Sequence, residues 1–178
     1  GIVAGLIAGG LAQAVELPPV TCDVVVVGGG SAGICAALQS ARAGAKTVLV
    51  EAAHQVGGNT TTGGVNFPGL FHAWGRQVIA GAGWDVVTNA VALDGGKLPD
   101  FTKPTGRRHY EHQISINIPL FVVLAEDALV RAGVTLHYHA APVRIEAVPE
   151  GWRVRTAATG DTRTITCKQL VDCTGNGT

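Results

Sequence analysis

The sequence predicts an α/β fold: a parallel sheet with helices, an attached three-stranded β-meander, and an insertion that breaks the alternation. Three observations carry that expectation. Between Cys22 and Gly58 an apolar strand, a glycine-rich turn, a small-residue helix and a second apolar strand follow in order. Between Val143 and Cys167 three alternating segments are divided by turn residues. From Asn59 to Ile116 a stretch rich in glycine and polar residues separates the two regions.

The first fourteen residues stand apart. Gly1 to Leu11 is apolar and uncharged, and Ala12-Gln13-Ala14 follows as an A-x-A cleavage site. That run is too short to span a bilayer. It reads as the end of a secretory signal whose basic start is missing. Its glycines suit the twin-arginine route, which carries folded, cofactor-loaded proteins. The expectation is a mature chain starting near Val15, exported to the periplasm and without a stable membrane anchor. An uncleaved apolar helix packed on the domain is the other reading.

Residues 22–58 form a dinucleotide-binding βαβ unit. Asp23-Val24-Val25-Val26-Val27 is a strand apolar on both faces, as buried parallel strands are. Gly28-x-Gly30-x-x-Gly33 follows at once. Gly28 allows the sharp turn, Gly30 leaves room for a pyrophosphate, and Gly33 lets helix and strand pack closely. Ala32 to Ala43 continues as a helix whose first turn, with Ser31 and Ala32, offers free N–H groups to phosphate. Gly44 ends it, and Lys46 to Val50 is the second strand. Glu51 stands where an acid is expected to hold a ribose hydroxyl. A Rossmann-like unit follows from these residues together, where a lone glycine motif would be weak.

Residues 59–116 read as an insertion. Its start suits backbone contact with a cofactor. Leu70 to Ala80 reads as a helix after Pro68-Gly69, Val87 to Leu93 as a short apolar element, and Leu98 to His112 as loop. In residues 117–178, Pro119 opens a helix running to about Ala132, which Gly133 caps. Val134 to Tyr138 is the third core strand. Val143–Val148, Trp152–Thr156 and Arg163–Cys167 alternate as the meander, and Lys168 to Cys173 returns to the parallel sheet.

Composition narrows the function classes. Of the 178 residues, 47% are apolar and 15% charged, which suits a core-rich α/β protein. Net charge is zero, so nothing points to nucleic acid. The four cysteines lack CxxC or metal spacing and read as buried thiols. His137 and His139 share a strand face without a third ligand, so no metal site is expected.

The run from Glu51 to Gly58, E-x5-GG, together with the glycine motif, resembles the two-dinucleotide-binding-domain flavoproteins, which bind FAD. Asn59-Thr60-Thr61-Thr62-Gly63-Gly64 is similar to the GG segment of the fumarate reductase and succinate dehydrogenase flavoprotein group. Leu170-Val171-Asp172-Cys173-Thr174-Gly175 resembles their second FAD motif, with Cys173 where alanine is usual. Gly63 to Val87 is similar to a branch described only as FAD-dependent oxidoreductase. The resemblance covers nearly all of Cys22 to Thr178. It implies FAD as cofactor, held by Gly28, Gly30, Ser31, Ala32, Gly33, Glu51, Ala52, Gly58, Asn59, Thr60, Gly64, Thr174 and Gly175. Val143 matches the residue whose backbone meets the adenine. It also implies a substrate domain and a late G-D motif that this sequence does not contain, hence an N-terminal fragment of a larger enzyme. Some relatives bind flavin covalently through a His before the second GG. Gly57 holds that place here and His54 lies three residues away, so a non-covalent flavin is expected.

Candidates for catalysis are few. His72 and Arg76, four apart on the expected helix, share a face. Arg107 to His112, with His109, is a cationic and His-rich cluster suited to an anionic substrate. Trp74 and Trp84 are aromatic residues available to flank a ring. The function expected is hydride or electron transfer between a small organic substrate and FAD. A nicotinamide-binding oxidoreductase and an exported, non-catalytic electron carrier are the alternatives.

Overall fold

The computed structural model describes residues 14–106 and 108–177, without the side chain of His109. Residues 1–13 of the expected signal segment Gly1 to Ala14, and the candidate Arg107, lie outside the described residues.

The βαβ unit, the helix near Pro119 and the later strands run in the predicted order, and the insertion differs. A short strand β1 (Val15–Glu16) precedes β2 (Val20–Val27), α1 (Ser31–Arg42) and β3 (Thr47–Val50). Then come a hairpin of β4 (His72–Ala73) and β5 (Arg76–Gln77), and the helices α2 (Ala82–Leu93) and α3 (Ile118–Arg131). Four strands close the chain: β6 (Thr135–His137), β7 (Ala141–Val148), β8 (Gly151–Ala158) and β9 (Asp161–Asp172). The main sheet has the order β6-β3-β2-β9-β8-β7, with β1 added beside β9. Strands β6, β3, β2 and β9 are mutually parallel, whereas β7, β8 and β9 are antiparallel.

Alternation on β3 explains why the strand is buried throughout and apolar from Val48 to Val50. Leu49 joins a core with Ile34, Leu38, Val87 and Leu129, which are helix residues. Val48 and Val50 face the other way, into a second cluster with Val25, Val27, Ile165 and Cys167. Helices thus cover one face of the sheet. The other face is covered by the sheet's own far end. On a flat sheet β6 and β9 would stand three strand spacings apart, about 14 Å. Arg163 Nη1 on β9 nevertheless lies 3.2 Å from His137 Nε2 at the end of β6. The first half of β9 therefore curls back over the parallel strands.

Four expectations are corrected. Leu70 to Ala80 is not a helix: His72–Ala73 and Arg76–Gln77 pair as a two-residue hairpin turned by Trp74-Gly75, both at positive φ. The apolar element at Val87 is the end of a full helix that starts at Ala82. The third meander strand and the final parallel strand are one twelve-residue strand, because β9 pairs with β8 over its first half and with β2 over its second. His137 and His139 do not share a strand, since β6 ends at His137 and His139 has φ +54. Helix α3 starts as expected: Asn117 caps it, Oδ1 accepting from the Leu120 amide at 3.3 Å. Cys22 and Cys167 are register partners on β2 and β9, and both are buried. Among the described residues, no helix is long and apolar enough to cross a membrane.

Candidate functional site

The glycine-rich turn joins the end of β2 to α1. Gly28 has φ +94, and a Cβ there would stand 2.5 Å from the Cys173 carbonyl oxygen. A Cβ on Gly33 would run into the Gly28 carbonyl oxygen. At Gly30 the opposite holds, since a Cβ would meet nothing within 4 Å. Gly30 is also the N-cap of α1, with no side chain capping the helix and no acid in its first turn. The amides of Ser31 and Ala32 therefore belong to a helix end that carries partial positive charge.

A second glycine turn lies directly against the first. The Gly57 amide donates to the Gly29 carbonyl at 2.7 Å, and Gly30 and Gly57 form a parallel bridge. Gly58, at φ +54, would bring a Cβ within 3.1 Å of Gly30 Cα. Residues Gly58–Thr60 make one 3-10 turn. Beneath it the buried Thr61 hydroxyl donates to the Val56 carbonyl at 2.6 Å. Asn59 faces solvent, Thr60 is buried and lies 3.4 Å, hydroxyl to hydroxyl, from Ser31, and Gly64 has open space around its Cα at φ +72.

Glu51 follows the last residue of β3 and stands between these turns. Its Oε2 accepts from the Gly29 amide at 2.5 Å and its Oε1 from the Ala53 amide at 2.6 Å. A cavity of about 200 Å³ opens beside it, lined by Gly28, Glu51, Ala52, Pro142, Thr174 and Asn176. The lining also includes Val27 and Val50, the last residues of β2 and β3. This is the carboxyl edge of a parallel sheet, where α/β folds take their ligands. Thr174 is fixed by Asp172, whose Oδ1 accepts from the Thr174 amide at 2.9 Å and hydroxyl at 2.7 Å. Those two bonds hold the Asp172 carboxyl below the usual range. Gly175 follows at φ +81. Val143 stands one residue beyond the lining Pro142, at a register shift in β7, and is 60% exposed.

The cofactor candidates therefore converge around two touching glycine turns and one cavity. Sequence reasoning missed Gly29, Pro142 and Asp172. The acid two residues before Thr174 was a usable signal for the last of these, because Asp side chains bond backbone two residues on. Also missed is an apolar cavity of about 280 Å³ between the first turn of α1 and the insertion, lined by Ser31, Ala32, Cys35, Leu70, Phe71 and Phe121.

The catalytic candidates are elsewhere, with His72 and His112 both packed against Phe101. His72 stacks flat on Phe101, centroids 3.7 Å apart, and Arg76 stands on the opposing strand, exposed. The backbone of His109 opens a 3-10 turn, His109–His112. Arg108 pairs with Glu111 at 3.0 Å on the surface. Trp84 packs against Phe71 in the core margin, whereas Trp74 is 89% exposed, so the two do not flank a common ring. His54 is exposed and stacks near His139, centroids 6.5 Å apart.

Comparison with known proteins gives a consistent picture. The sequence model of a family described as FAD dependent oxidoreductase matches residues 23–178. A Mycobacterium tuberculosis protein named as a flavin-containing monoamine oxidase, AofH, is 47% identical over 55 residues, which is 31% of this chain and 12% of that protein. The anhydrotetracycline hydroxylase OxyS of Streptomyces rimosus is similar in structure, with TM-score 0.58 and 19% identity, over 86% of this chain and 31% of its own. A flavoprotein/dehydrogenase from Cytophaga hutchinsonii gives TM-score 0.56 and 20% identity, over 88% of this chain and 40% of its own. The chain thus spans less than half the length of each of these proteins.

Proposed function

Because this chain belongs to the FAD dependent oxidoreductase family, whose cofactor is FAD, we propose that it supplies the FAD-holding part of an enzyme. That enzyme passes hydride or electrons between a small organic substrate and non-covalently held FAD. The observation that carries the reading is the open cradle at Gly30, where a Cβ meets nothing and the α1 N-terminus has no capping side chain. Such a cradle fits a pyrophosphate.

Bound FAD supplies the redox chemistry, and the protein orients and encloses it. Gly28 and Gly33 hold strand and helix close enough to aim the Ser31 and Ala32 amides at one point. The Glu51 oxygens each keep a lone pair beyond the one given to an amide, available to a ribose hydroxyl. Asp172 fixes the Thr174-Gly175 turn at the far side of the cavity. Asn59 and Thr60 of the second turn and Gly64 just after it are available to the cofactor, and the Pro142–Val143 irregularity is the candidate for the adenine edge. Gly57, at the position of the linking His in some relatives, has no side chain to attach a flavin. This disfavours a succinate or fumarate substrate by the same likeness.

The test is to denature the full-length protein and identify what it releases. Free FAD, near one per chain, is the expected result. Release of NAD, or a flavin that stays on the polypeptide, overturns the reading. Export is part of the proposal, motivated by the apolar run ending at Ala12-Gln13-Ala14. Intact-mass analysis of protein made from the complete gene should find a chain starting near Val15 outside the cytoplasm. A cytosolic product still carrying Gly1 to Ala14 rules export out.

A further inference from the structure

We propose that a cavity of about 540 Å³ in the insertion, lined by Leu70, His72, Trp74, Lys103, Thr105 and His112, binds a small planar organic anion, in its simplest form an aromatic carboxylate. The proposal names a substrate class and so rests on the oxidoreductase reading above.

Unmet hydrogen bonding is the first argument. His72 Nδ1 and His112 Nε2 are shielded from water and have no hydrogen-bond partner among the described residues. Buried polar atoms without partners are rare because each carries a desolvation cost. Phe101 holds both rings at the cavity wall, stacked on His72 and edge-on to His112 at 5.5 Å. Both histidines line the cavity, so a ligand oxygen held there is the partner assigned to these nitrogens.

The second argument is Trp74. Its indole is 89% exposed, and its backbone sits at φ +52. A large aromatic side chain is disfavoured on both counts. Placed at the turn of the hairpin beside the cavity, it offers a flat face to an incoming ring, and aromatic pairs of this kind add to simple burial.

Charge sets the sign of the ligand. Among the described residues no carboxylate lines the cavity, whereas Lys103 does. Its ammonium is paired with Asp100 at 3.4 Å, but both groups are exposed, so the pair holds it weakly. Burial, and then the nearby His112, keep His72 below the usual imidazole range. The anion therefore meets Lys103 as the charged partner and the imidazoles as neutral ones. Position supports a substrate role, because Leu70 also lines the apolar cavity that reaches Ser31 and Ala32.

The experiment is calorimetric titration of the full chain with benzoate, beside benzamide, which is planar and neutral, and cyclohexanecarboxylate, which is anionic and not flat. FAD is titrated in parallel. Benzoate should saturate one site and the two controls should bind at least about tenfold more weakly. Trp74→Ala should weaken benzoate about fivefold and Lys103→Gln about threefold. Both positions are exposed, so each variant should keep its fold and its FAD affinity, read by circular dichroism and by FAD titration. No saturable benzoate binding, equal binding of benzamide, or indifference to both substitutions overturns the proposal. Loss of FAD binding with benzoate intact instead strikes the oxidoreductase reading alone.

Discussion

The amide of Gly29 donates to Oε2 of Glu51 at 2.5 Å, which ties the glycine-rich turn to the end of the neighbouring strand. With Oε1 on the Ala53 amide, one carboxylate staples two turns together before any ligand arrives. The acid that the motif assigns to a ribose therefore has a prior task in shaping the pocket.

Glu51→Ala should remove both tasks. Two backbone amides lose a charged acceptor, and the ribose loses its partner. FAD affinity should fall by about 1.5–3 kcal/mol, the range of hydrogen bonds to charged groups. The melting temperature of the cofactor-free chain should fall as well. Glu51→Gln, with one acceptor oxygen left, should lie between. An unchanged FAD dissociation constant in Glu51→Ala would show that the carboxylate serves the turns alone.

Gly30 and Gly33 should respond in opposite ways to a side chain. Gly30→Val points into open space, so the chain should fold with a near-normal melting curve and bind no FAD. Gly33→Ala collides with the Gly28 carbonyl and should fail to fold stably. Circular dichroism and FAD titration on both variants check this. A folded Gly30→Val that retains FAD contradicts the cradle.

His137 gives the fold a pH dependence. Arg163 can only donate, so His137 Nε2 accepts and the ring is neutral. Burial, and then Arg163, hold the His137 pKa below its ordinary value, with Asp161 opposing. The unfolded chain therefore takes up a proton more readily than the folded one. Stability from this group is complete above the unfolded value of about 6.5 and declines as pH falls below it. Urea unfolding at pH 5 and pH 7.5 should show a smaller difference in His137→Asn than in wild type. Equal differences would remove His137 as the source.

Trp74→Asn should stabilise the chain. The Trp74-Gly75 hairpin needs positive φ at both residues, and Asn-Gly is the favoured pair for such a turn. A gain of about 0.5–1 kcal/mol is expected in chemical unfolding, together with weaker benzoate binding. A loss of stability would mean that the indole makes contacts worth more than the strain.

Legibility followed the range of the contacts. Val24 to Val27, Gly28, Gly30, Gly33 and Glu51 form a unit whose strand, turn and helix are contiguous, and all stand in their expected elements. Helix α3 was readable from Pro119 and Gly133 at its two ends. The hairpin at His72 was not, because a four-residue spacing between His72 and Arg76 mimics a helix face. Trp74 also stands where a turn of this kind usually carries Asn, Asp or Gly. Helix α2 lost its start because Gly81 is the N-cap without a side-chain bond. The unity of β9 was hidden for another reason. Whether Thr166 to Lys168 bends or runs straight depends on β2 and β8 pairing on either side, which no local pattern records. At the site, the glycines and Glu51 were legible as a motif. The wall at Pro142 and the 540 Å³ cavity arise only when distant segments meet.

The place of β9 has a consequence for how the protein is made. This strand is the last of those among the described residues and yet sits between β2 and β8, pairing Val20 with Ile165 and Val27 with Asp172. On the ribosome, the valine-rich β2 must therefore wait with one edge unpaired until Ile165 to Asp172 have been made. Long-range parallel pairing is slow, and an exposed apolar strand edge is a template for aggregation in the meantime. The nascent chain is thus most exposed to wrong pairing at the strand that leads into its glycine-rich turn, until Asp172 emerges.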